Sequence, residues 1–503
     1  MSKIIPLRFP IGWKDLHGIA PNSHPSSHSG APIQIAAPLF RAPLHRSMNA
    51  FFKLREHGSS VRTEIIGGVT TFITMAYIMV VNPAILSFAG IPVGPGTVAT
   101  ILTAAVGCLL MGLIANRPIA VAPYMGENAF IAFGLAALGI GWEQRLGAVF
   151  VSGALFLIIT LLGIRGWLAN SVPVGLKHSF AVGIGLFLAF IGLYETGIVT
   201  SFVSGMPAQS LQTDAHGLFM APAVPVKIGN LRDPQVLLAL GGFLLMTVLM
   251  IRKVRGALLI GIVGTALIGG ALGFGHLPKA IAALPFTGEY DLSRIAFKLD
   301  IASVLQLSFL PVLLTLFLMS FLDTLGTLTG LGAAANLLDE KGNFPQVQKP
   351  MLVDALTCMF SGLVGTSTSG AYIESATGIS AGARTGLAAL VTAALFAKSL
   401  FFIPLIEPLQ QLRFAYGPAL IAVAVLMTGS VRRIDFNDLT EWVPAFVTIV
   451  MMLFTCNIAN GLTAGLVVHP ILKLASGRGR ELNAGTIVLA LLCAAYYLFG
   501  LPH

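Results

Sequence analysis

The sequence TSTSGAYIESATG at 366–378 places one carboxylate, Glu374, among glycines and hydroxylated residues in an otherwise apolar chain. A second stretch, AVAPYMGENAF at 120–130, has the same character and carries Glu127. A lipid-facing helix would be rich in leucine at these positions. Both stretches therefore predict a local interruption of regular helix, and the two interruptions decide the fold.

Each interruption predicts a short extended piece followed by a helix. Pro118 and Pro123 each remove an amide donor, and each biases the residue before it towards extended backbone, so the first helix is expected to start near Gly126. The Thr, Ser and Gly residues of 366–372 predict the same, with a helix starting near Glu374. We expect the two extended pieces to pair at the centre of the protein. Their free amides and the positive helix ends would then face one site. The alternative interpretation is ordinary contact between small-residue helices.

The composition predicts a polytopic membrane protein. Hydrophobic residues make up 55% of the 503 residues and charged residues only 10%, with a mean hydropathy of +0.85. Soluble domains carry about 25% charged residues, so a soluble protein of this size is excluded. Apolar runs long enough to cross a bilayer recur along the chain. The net charge of +9 comes from loops between these runs rather than from a nucleic-acid surface.

We predict an all-α architecture of about fourteen transmembrane segments. They are placed at 65–88, 96–115, 118–138, 144–164, 176–198, 235–252, 256–273, 303–333, 350–365, 370–384, 386–406, 417–431, 441–456 and 458–475. The run 484–500 is either a further span or an interfacial helix. A cytoplasmic N-terminus puts the basic loops inside, as the positive-inside rule requires; these loops carry Arg117, Arg165, Lys177, Arg252, Lys253, Arg255, Arg432, Arg433, Lys473, Arg478 and Arg480.

Residues 1–50 differ from the membrane domain at 52–500. They contain seven prolines, four histidines and one acid, Asp15, and they lack a continuous apolar segment. This composition predicts a disordered tail or a mistaken start site rather than a secretory signal. Four cysteines lie in apolar segments without metal-type spacing, and we interpret them as packing residues: Cys108, Cys358, Cys456 and Cys493.

Three acids lie deep in the predicted segments: Glu127, Asp323 and Glu374. An ionised acid at the centre of a membrane helix costs roughly 2.5–3.5 kcal/mol on insertion scales. A protonated state, a hydrogen-bond donor or a water-filled cavity removes this cost. We therefore predict that Glu374, Asp323 and Glu127 bind substrate, and that Glu374 and Asp323 also carry the coupling proton. The structural alternative is a buried acid that ties segments together, and for Glu127 this includes a helix cap.

Neutral neighbours complete the predicted binding site. Asn128 offers both a donor and an acceptor, and it suits an amide-like edge of a ligand. Phe130 and Tyr372 can stack on a flat ring, although aromatic residues in membrane helices more often serve packing. Arg384 is interpreted as an anchor at the cytoplasmic end of segment 10. The sequence has no HExxH and no GxxxxGK[ST] motif, so it predicts no enzyme and no metal or cofactor, and transport would be secondary.

Several motifs together resemble the AzgA-like purine permeases, a branch of the nucleobase–cation symporter family. The resemblance covers about 52–500 and is carried by FKLREHGSSVRTEIIGGVTTFITMAYIMVVNPAIL (52–86), APYMGENAF (122–130), VPVGLKHSFAVGIGLFLAFIGL (172–193), FLDTLGTLTG (321–330) and GTSTSGAYIESATGISAGARTGL (365–387). Two departures stand out. In segment 3 this chain has Glu127 where many relatives have an apolar residue before the asparagine that corresponds to Asn128. Segment 10 ends in GARTG rather than in the commoner GGRTG. The first of these leaves purine preference and proton stoichiometry open.

The resemblance implies a seven-plus-seven inverted repeat with two domains. The core would comprise about 65–164 and 303–406, and the gate about 172–273 and 417–475. It also implies proton-coupled uptake of adenine, guanine or hypoxanthine across the plasma membrane of a bacterium, with Asp323, Glu374 and Asn128 at the site. A purine, a proton and the lipid bilayer are then the expected partners, and a homodimer is a candidate assembly. The alternatives are a carrier of uracil, xanthine or an anion, or a membrane-embedded enzyme or channel.

Overall fold

The computed structural model describes residues 50–136, 138–163, 167, 171–207, 224–276, 278–334 and 346–499. The tail predicted at 1–50 lies outside the described residues except for Ala50, as does Arg165 of the basic loops. Helices and strands are numbered here in chain order.

The first half of the described chain consists of helices interrupted by one short strand and followed by a two-stranded hairpin. Its elements are α1 (Val61–Met75), α2 (Ile78–Ser87), α3 (Val93–Leu110), β1 (Val121–Pro123), α4 (Met125–Ala129), α5 (Trp142–Leu161), α6 (Val174–Glu195), β2 (Val199–Ser201), β3 (Val226–Ile228), α7 (Pro234–Ile251) and α8 (Ala257–Ala271). Two π-helical turns, Met111–Ala115 and Phe130–Gly134, extend α3 and α4.

The second half repeats the pattern of helices around one short strand. Its elements are α9 (Ile301–Val304), α10 (Leu310–Ala334), α11 (Gln348–Val364), β4 (Ser369–Ala371), α12 (Ser375–Ser380), α13 (Gly386–Ser399), α14 (Ile403–Gln411), α15 (Arg413–Thr428), α16 (Leu439–Phe454), α17 (Ile458–Ala475) and α18 (Ala484–Phe499). Short 3-10 turns lie between several of them, including Gly429–Arg433 after α15.

The structure confirms a mostly helical membrane protein. Within the described residues, nine helical stretches are long and apolar enough to cross a bilayer, and three shorter helices, α8, α16 and part of α18, are also apolar. An element lies at each of the fourteen predicted segments, while the number of membrane crossings stays a prediction. The first predicted segment is interrupted: α1 ends at Met75 and α2 begins at Ile78, with Tyr77 between them.

Packing joins helices that are distant in sequence. In the first group, α5 packs on α11 and α10, and α13 packs on α1 and α3. In a second group, α6 packs on α15 and α16, and α15 packs on α7 and α8. The division into a core and a gate that move against each other stays a prediction. The four cysteines are unpaired, and Cys108, Cys358 and Cys493 are buried in the apolar interior.

Candidate functional site

The two interrupted segments meet as a pair of antiparallel strands. Strand β1 pairs with β4, with Val121 opposite Ala371. The Tyr124 amide donates to the Thr368 carbonyl at 2.9 Å, and the Tyr372 amide donates to the Ala120 carbonyl at 2.9 Å. The predicted pairing of the two extended pieces is therefore confirmed. Helix α4 begins at Met125 and α12 at Ser375, each within one residue of the predicted start.

A tyrosine follows each strand, and the two rings are stacked. The centroids of Tyr124 and Tyr372 lie 6.5 Å apart with an angle of 10° between the ring planes. The Tyr372 hydroxyl donates to the Pro123 carbonyl at 2.6 Å, and the Tyr124 hydroxyl lies 2.9 Å from the Thr324 hydroxyl. Both rings are almost fully buried. Tyr372 therefore braces the strand pair as well as lying beside Glu374.

Asp323 and Glu374 are the acids of this region that remain half-buried rather than fully enclosed. Glu374 lies directly before α12, and its Oε1 accepts a hydrogen bond of 2.8 Å from the Tyr77 hydroxyl at the interruption of the first segment. Asp323 lies on α10, within electrostatic range of Glu374. The structure thus brings together the two acids that the sequence assigned to substrate and proton.

Glu127 is fully enclosed, with 1% of its surface exposed. Its Oε2 accepts hydrogen bonds from the hydroxyls of Ser320, at 2.8 Å, and Thr368. Its Oε1 has no hydrogen-bond partner among the described residues. In this conformation the side chain connects α4 with α10 and with the approach to β4.

Asn128 belongs to a buried network of polar side chains. Its amide nitrogen donates to Asn82 Oδ1 at 2.8 Å, and the amide nitrogen of Asn82 donates to the hydroxyls of Thr100 at 2.8 Å and Thr366 at 2.9 Å. The Asn128 oxygen has no partner among the described residues. Phe130 is fully buried. These two residues of the predicted site are therefore fully enclosed, unlike Asp323 and Glu374.

The structure adds three residues that the sequence analysis did not select: Asp354, Asn82 and Tyr77. Asp354 is fully buried on α11, and its Oδ2 accepts hydrogen bonds of 2.9 Å from the Thr324 hydroxyl and from the Ala371 amide of β4. The insertion-cost argument that selected Glu127 applies equally to Asp354, which lies inside the predicted segment 350–365. Tyr77 carries no comparable signal, because an aromatic residue in an apolar helix is ordinary.

Arg384 lies in the connection between α12 and α13, and its side chain forms hydrogen bonds near that connection. Its guanidinium donates to the carbonyls of Ile379 and Ala383 at 2.7 Å, and its backbone amide donates to Glu64 Oε1 at 2.8 Å. Among the described residues, no group of three or more His, Cys, Asp or Glu side chains could hold a metal ion.

Solved structures of membrane proteins share this helical fold. The transmembrane domain of the cyanobacterial bicarbonate transporter BicA aligns with a TM-score of 0.56 at 17% identity, covering 80% of this chain and 97% of that chain. Murine solute carrier 26 family member A9, an anion transporter in its inward-facing state, aligns with a TM-score of 0.59 at 10% identity, covering 88% and 73%. At such identities the likeness concerns the fold alone.

Sequence relatives identify the family. The family model described as Permease family (Xan_ur_permease) matches residues 62–463, and the chain belongs to this family. Adenine permease AdeP of Escherichia coli is 39% identical over 90% of this chain and 96% of that protein. Guanine/hypoxanthine permease PbuO of Bacillus subtilis is 39% identical over 88% and 98%. A putative permease of Methanocaldococcus jannaschii, MJ0326, is 42% identical over 89% and 98%.

Proposed function

We propose that this protein is a proton-coupled symporter that takes up adenine, guanine or hypoxanthine across the plasma membrane. The proposal is supported by the similarity to AdeP and PbuO, whose names state adenine and guanine/hypoxanthine permeases. The observation that carries it at the site is the pair of half-buried carboxylates, Asp323 and Glu374, beside the paired strands.

The chemistry of this pair suits a purine. Ionised carboxylates are acceptors only, and the ring and exocyclic N–H groups of purines are donors. Two neighbouring carboxylates repel each other when both are ionised, and a proton on one of them relieves that repulsion. Asp323 and Glu374 thus bind the base with one carboxylate and hold the coupling proton with the other.

The remaining predicted residues are buried and hold the elements next to this pair in place. Tyr372 stacks on Tyr124 and fixes the strand that leads into Glu374. Asn128, Glu127 and Phe130 hold α4 against its neighbours, so in this conformation they set the shape of the site rather than its open surface. In a conformation that exposes α4, the unpartnered oxygens of Asn128 and Glu127 would become available to a base.

Transport proceeds by movement of a core domain against a gate domain. The core comprises about 65–164 and 303–406 and holds the site, and the gate comprises about 172–273 and 417–475. The N-terminus is cytoplasmic, the host membrane is the inner membrane of a bacterium, and a homodimer is the candidate assembly. Alternating access around a fixed midplane site is the general mode of inverted-repeat carriers.

Anion transport is the competing function, because both solved structures of this fold described above are named as bicarbonate or anion transporters. Two acids at the site oppose it. None of the ion pairs between described residues supplies Asp323 or Glu374 with a cation. A site that presents two carboxylates repels an anion and attracts a donor-rich base.

The deciding experiment measures uptake of labelled adenine into proteoliposomes that carry an inward proton gradient. Unlabelled adenine, guanine, hypoxanthine, xanthine, uracil and bicarbonate are then added as competitors. We expect competition by one or more of the first three only. Competition by uracil or bicarbonate at equal concentration, or no uptake of any purine by correctly inserted protein, would contradict the proposal.

A further inference from the structure

A cavity of about 400 Å³ lies where the ends of five helices meet, apart from the paired strands. Its walls come from the starts of α6, α16 and α18, the end of α17 and the turn that follows α15. In chain order these ends are the start of α6, the end of α15, the start of α16, the end of α17 and the start of α18. Because successive membrane helices run in opposite directions, the end of one helix and the start of the next lie on one face of the membrane domain. The positive-inside rule assigns that face to the cytoplasm. A volume in this range is typical of ligand sites.

The cavity carries equal numbers of opposite charges. Three cations and three acids line it: Lys177, Arg433, Lys473, Asp435, Glu441 and Glu481. A simple anion would be repelled by the three acids, and a simple cation would be repelled by the three cations. A ligand with separated positive and negative groups fits this lining best.

One part of the lining is already paired and forms a fixed wall. Lys473 is buried, and its ammonium lies 2.9 Å from Glu441 Oε1 and 2.8 Å from Glu481 Oε2. Arg478 pairs with the same Glu481 at 2.6 Å and with Asp438 at 2.6 Å. Hydrogen bonds to the Asp438 carboxyl, above all from the Thr440 side chain and next from Arg478, hold its pKa well below its usual range.

The other charges of the lining are not ion-paired with any described residue, although Asp435 Oδ1 accepts a hydrogen bond of 2.9 Å from the Asn437 amide. Among the described residues, no hydrogen bond or ion pair involves the side-chain nitrogens of Lys177 or Arg433, and no ion pair involves Asp435. Lys177 and Arg433 both lie within electrostatic range of His178. Two cations thus stand near each other, with a carboxylate two residues from one of them.

A buried imidazole points to a ligand independently of these charges. His469 lines the cavity and is only 4% exposed. Its Nε2 lies 3.3 Å from Glu441 Oε1, while its Nδ1 has no hydrogen-bond partner among the described residues. A buried polar atom left without a partner costs about 1–3 kcal/mol. A hydrogen-bonding group in the cavity would remove this cost.

The surroundings of the cavity favour a lipid over a soluble ligand. The helices that form the cavity also expose apolar side chains: Val174 in the lining itself, Ile471 and Leu474 on α17, and Ile487 and Leu491 on α18. Trp167, which is half exposed, lies against Gly485 at the start of α18. Tryptophan is enriched where helices meet the headgroup layer. Acyl chains can therefore lie on this surface while a headgroup enters the cavity.

We propose that this cavity binds the phosphoethanolamine headgroup of a membrane phospholipid. The phosphate lies between Lys177 and Arg433, and the ammonium group donates to the acids of the lining, of which Asp435 is the one without an ion pair. The ammonium N–H groups matter, because a trimethylated headgroup carries the same charge but has no donor. This site is separate from the proposed purine site and does not depend on it.

The test uses the full-length protein, purified and stripped of lipid in detergent. Phosphatidylethanolamine, phosphatidylglycerol, phosphatidylcholine and water-soluble phosphoethanolamine are added separately, and bound lipid is counted by native mass spectrometry alongside a thermal melt. We expect phosphatidylethanolamine to bind and to raise the melting temperature more than the other three. Stronger binding of phosphatidylglycerol, or equal effects of all lipids, would overturn the zwitterion assignment. An equal effect of soluble phosphoethanolamine would overturn the lipid assignment.

Variants locate the binding. Lys177→Gln with Arg433→Gln should weaken phosphatidylethanolamine binding by about tenfold or more, the loss expected for charged hydrogen bonds. The matched control is Arg432→Gln with Arg252→Gln, which removes two exposed arginines outside the lining and should leave binding intact. Arg433→Gln alone, at an exposed position, serves if the double variant is poorly folded. Unchanged lipid binding in Arg433→Gln and in the double variant would refute the site.

Discussion

At the scale of residues, the four acids near the paired strands differ in how far their side chains are exposed. Glu127 and Asp354 are enclosed and accept hydrogen bonds from hydroxyl or amide groups of the protein. Asp323 and Glu374 are half-buried. A group that exchanges a proton and a substrate with water has to be reached by both, which is why we assign the proposed transport chemistry to the second pair.

We expect Glu374→Gln to abolish purine accumulation while the protein stays folded. Glutamine keeps the shape of the side chain and can still accept the Tyr77 hydrogen bond, but it loses the negative charge that holds a purine N–H or a proton. Accumulation is measured in proteoliposomes, and folding is checked by size-exclusion elution and a thermal melt. Wild-type accumulation by a well-inserted variant would remove Glu374 from the mechanism.

Tyr77→Phe should reduce purine uptake by about tenfold, because a hydrogen bond to a charged group is worth about 1.5–3 kcal/mol. The substitution keeps the ring that fills the buried position and removes only the donor to Glu374. Uptake rates at several purine concentrations provide the measurement. Tyr290→Phe is the matched control, since that hydroxyl donates to Glu407 at 2.9 Å instead. Equal effects of both variants would show that the Tyr77 hydroxyl has no specific role.

At the scale of elements, the two interruptions were predictable because their causes are local. Proline, glycine and hydroxylated residues change the backbone where they occur, so the starts of α4 and α12 were placed within one residue. The strand pairing followed from a general rule, since backbone groups at membrane depth must be satisfied within the protein. The register of β1 against β4 did not follow, because each three-residue strand permits more than one alignment.

The partners of buried polar groups were not predictable. Asn82 donates to Thr366, 284 positions further along the chain, and Tyr77 donates to Glu374, 297 positions further. A single sequence carries no local sign of such contacts. The π-helical turns that extend α3 and α4 are likewise invisible to helical periodicity. Tertiary packing decides both features.

Glu127→Leu should lower the melting temperature of the protein. Leucine leaves the hydroxyls of Ser320 and Thr368 without their acceptor, and an unsatisfied buried polar group costs about 1–3 kcal/mol. Glu127→Gln is the matched control, because its amide oxygen still accepts a hydrogen bond and most of the stability should remain. Thermal melts of both variants measure stability, and a purine competition panel on the same variants measures substrate preference. An unchanged melt together with altered purine preference in Glu127→Leu would instead place this side chain in contact with the substrate.

At the scale of the whole molecule, the site belongs to both halves of the chain. The first half supplies β1, Tyr77 and Glu127, and the second supplies β4, Asp323 and Glu374. Hydrogen bonds between the strands and from Tyr77 to Glu374 join the halves at the site. If the site moves during transport, these contacts predict that segments of both halves move with it, and the helices packed around α6 and α15 are the proposed partner for that movement.

The proton gradient should drive purine accumulation. One charge moving inward gains about 2.3 kcal/mol per 100 mV, which is sufficient for roughly 50-fold accumulation of a neutral base. Labelled purine uptake is measured in proteoliposomes with an imposed pH difference and a potassium diffusion potential, with and without a protonophore. The protonophore should reduce the internal purine to the external concentration, while equilibration itself continues. A sodium gradient imposed without a proton gradient serves as the control and should give no accumulation. Full accumulation in the presence of the protonophore would show that the coupling ion is not a proton, although Asp323 and Glu374 could then still bind the purine.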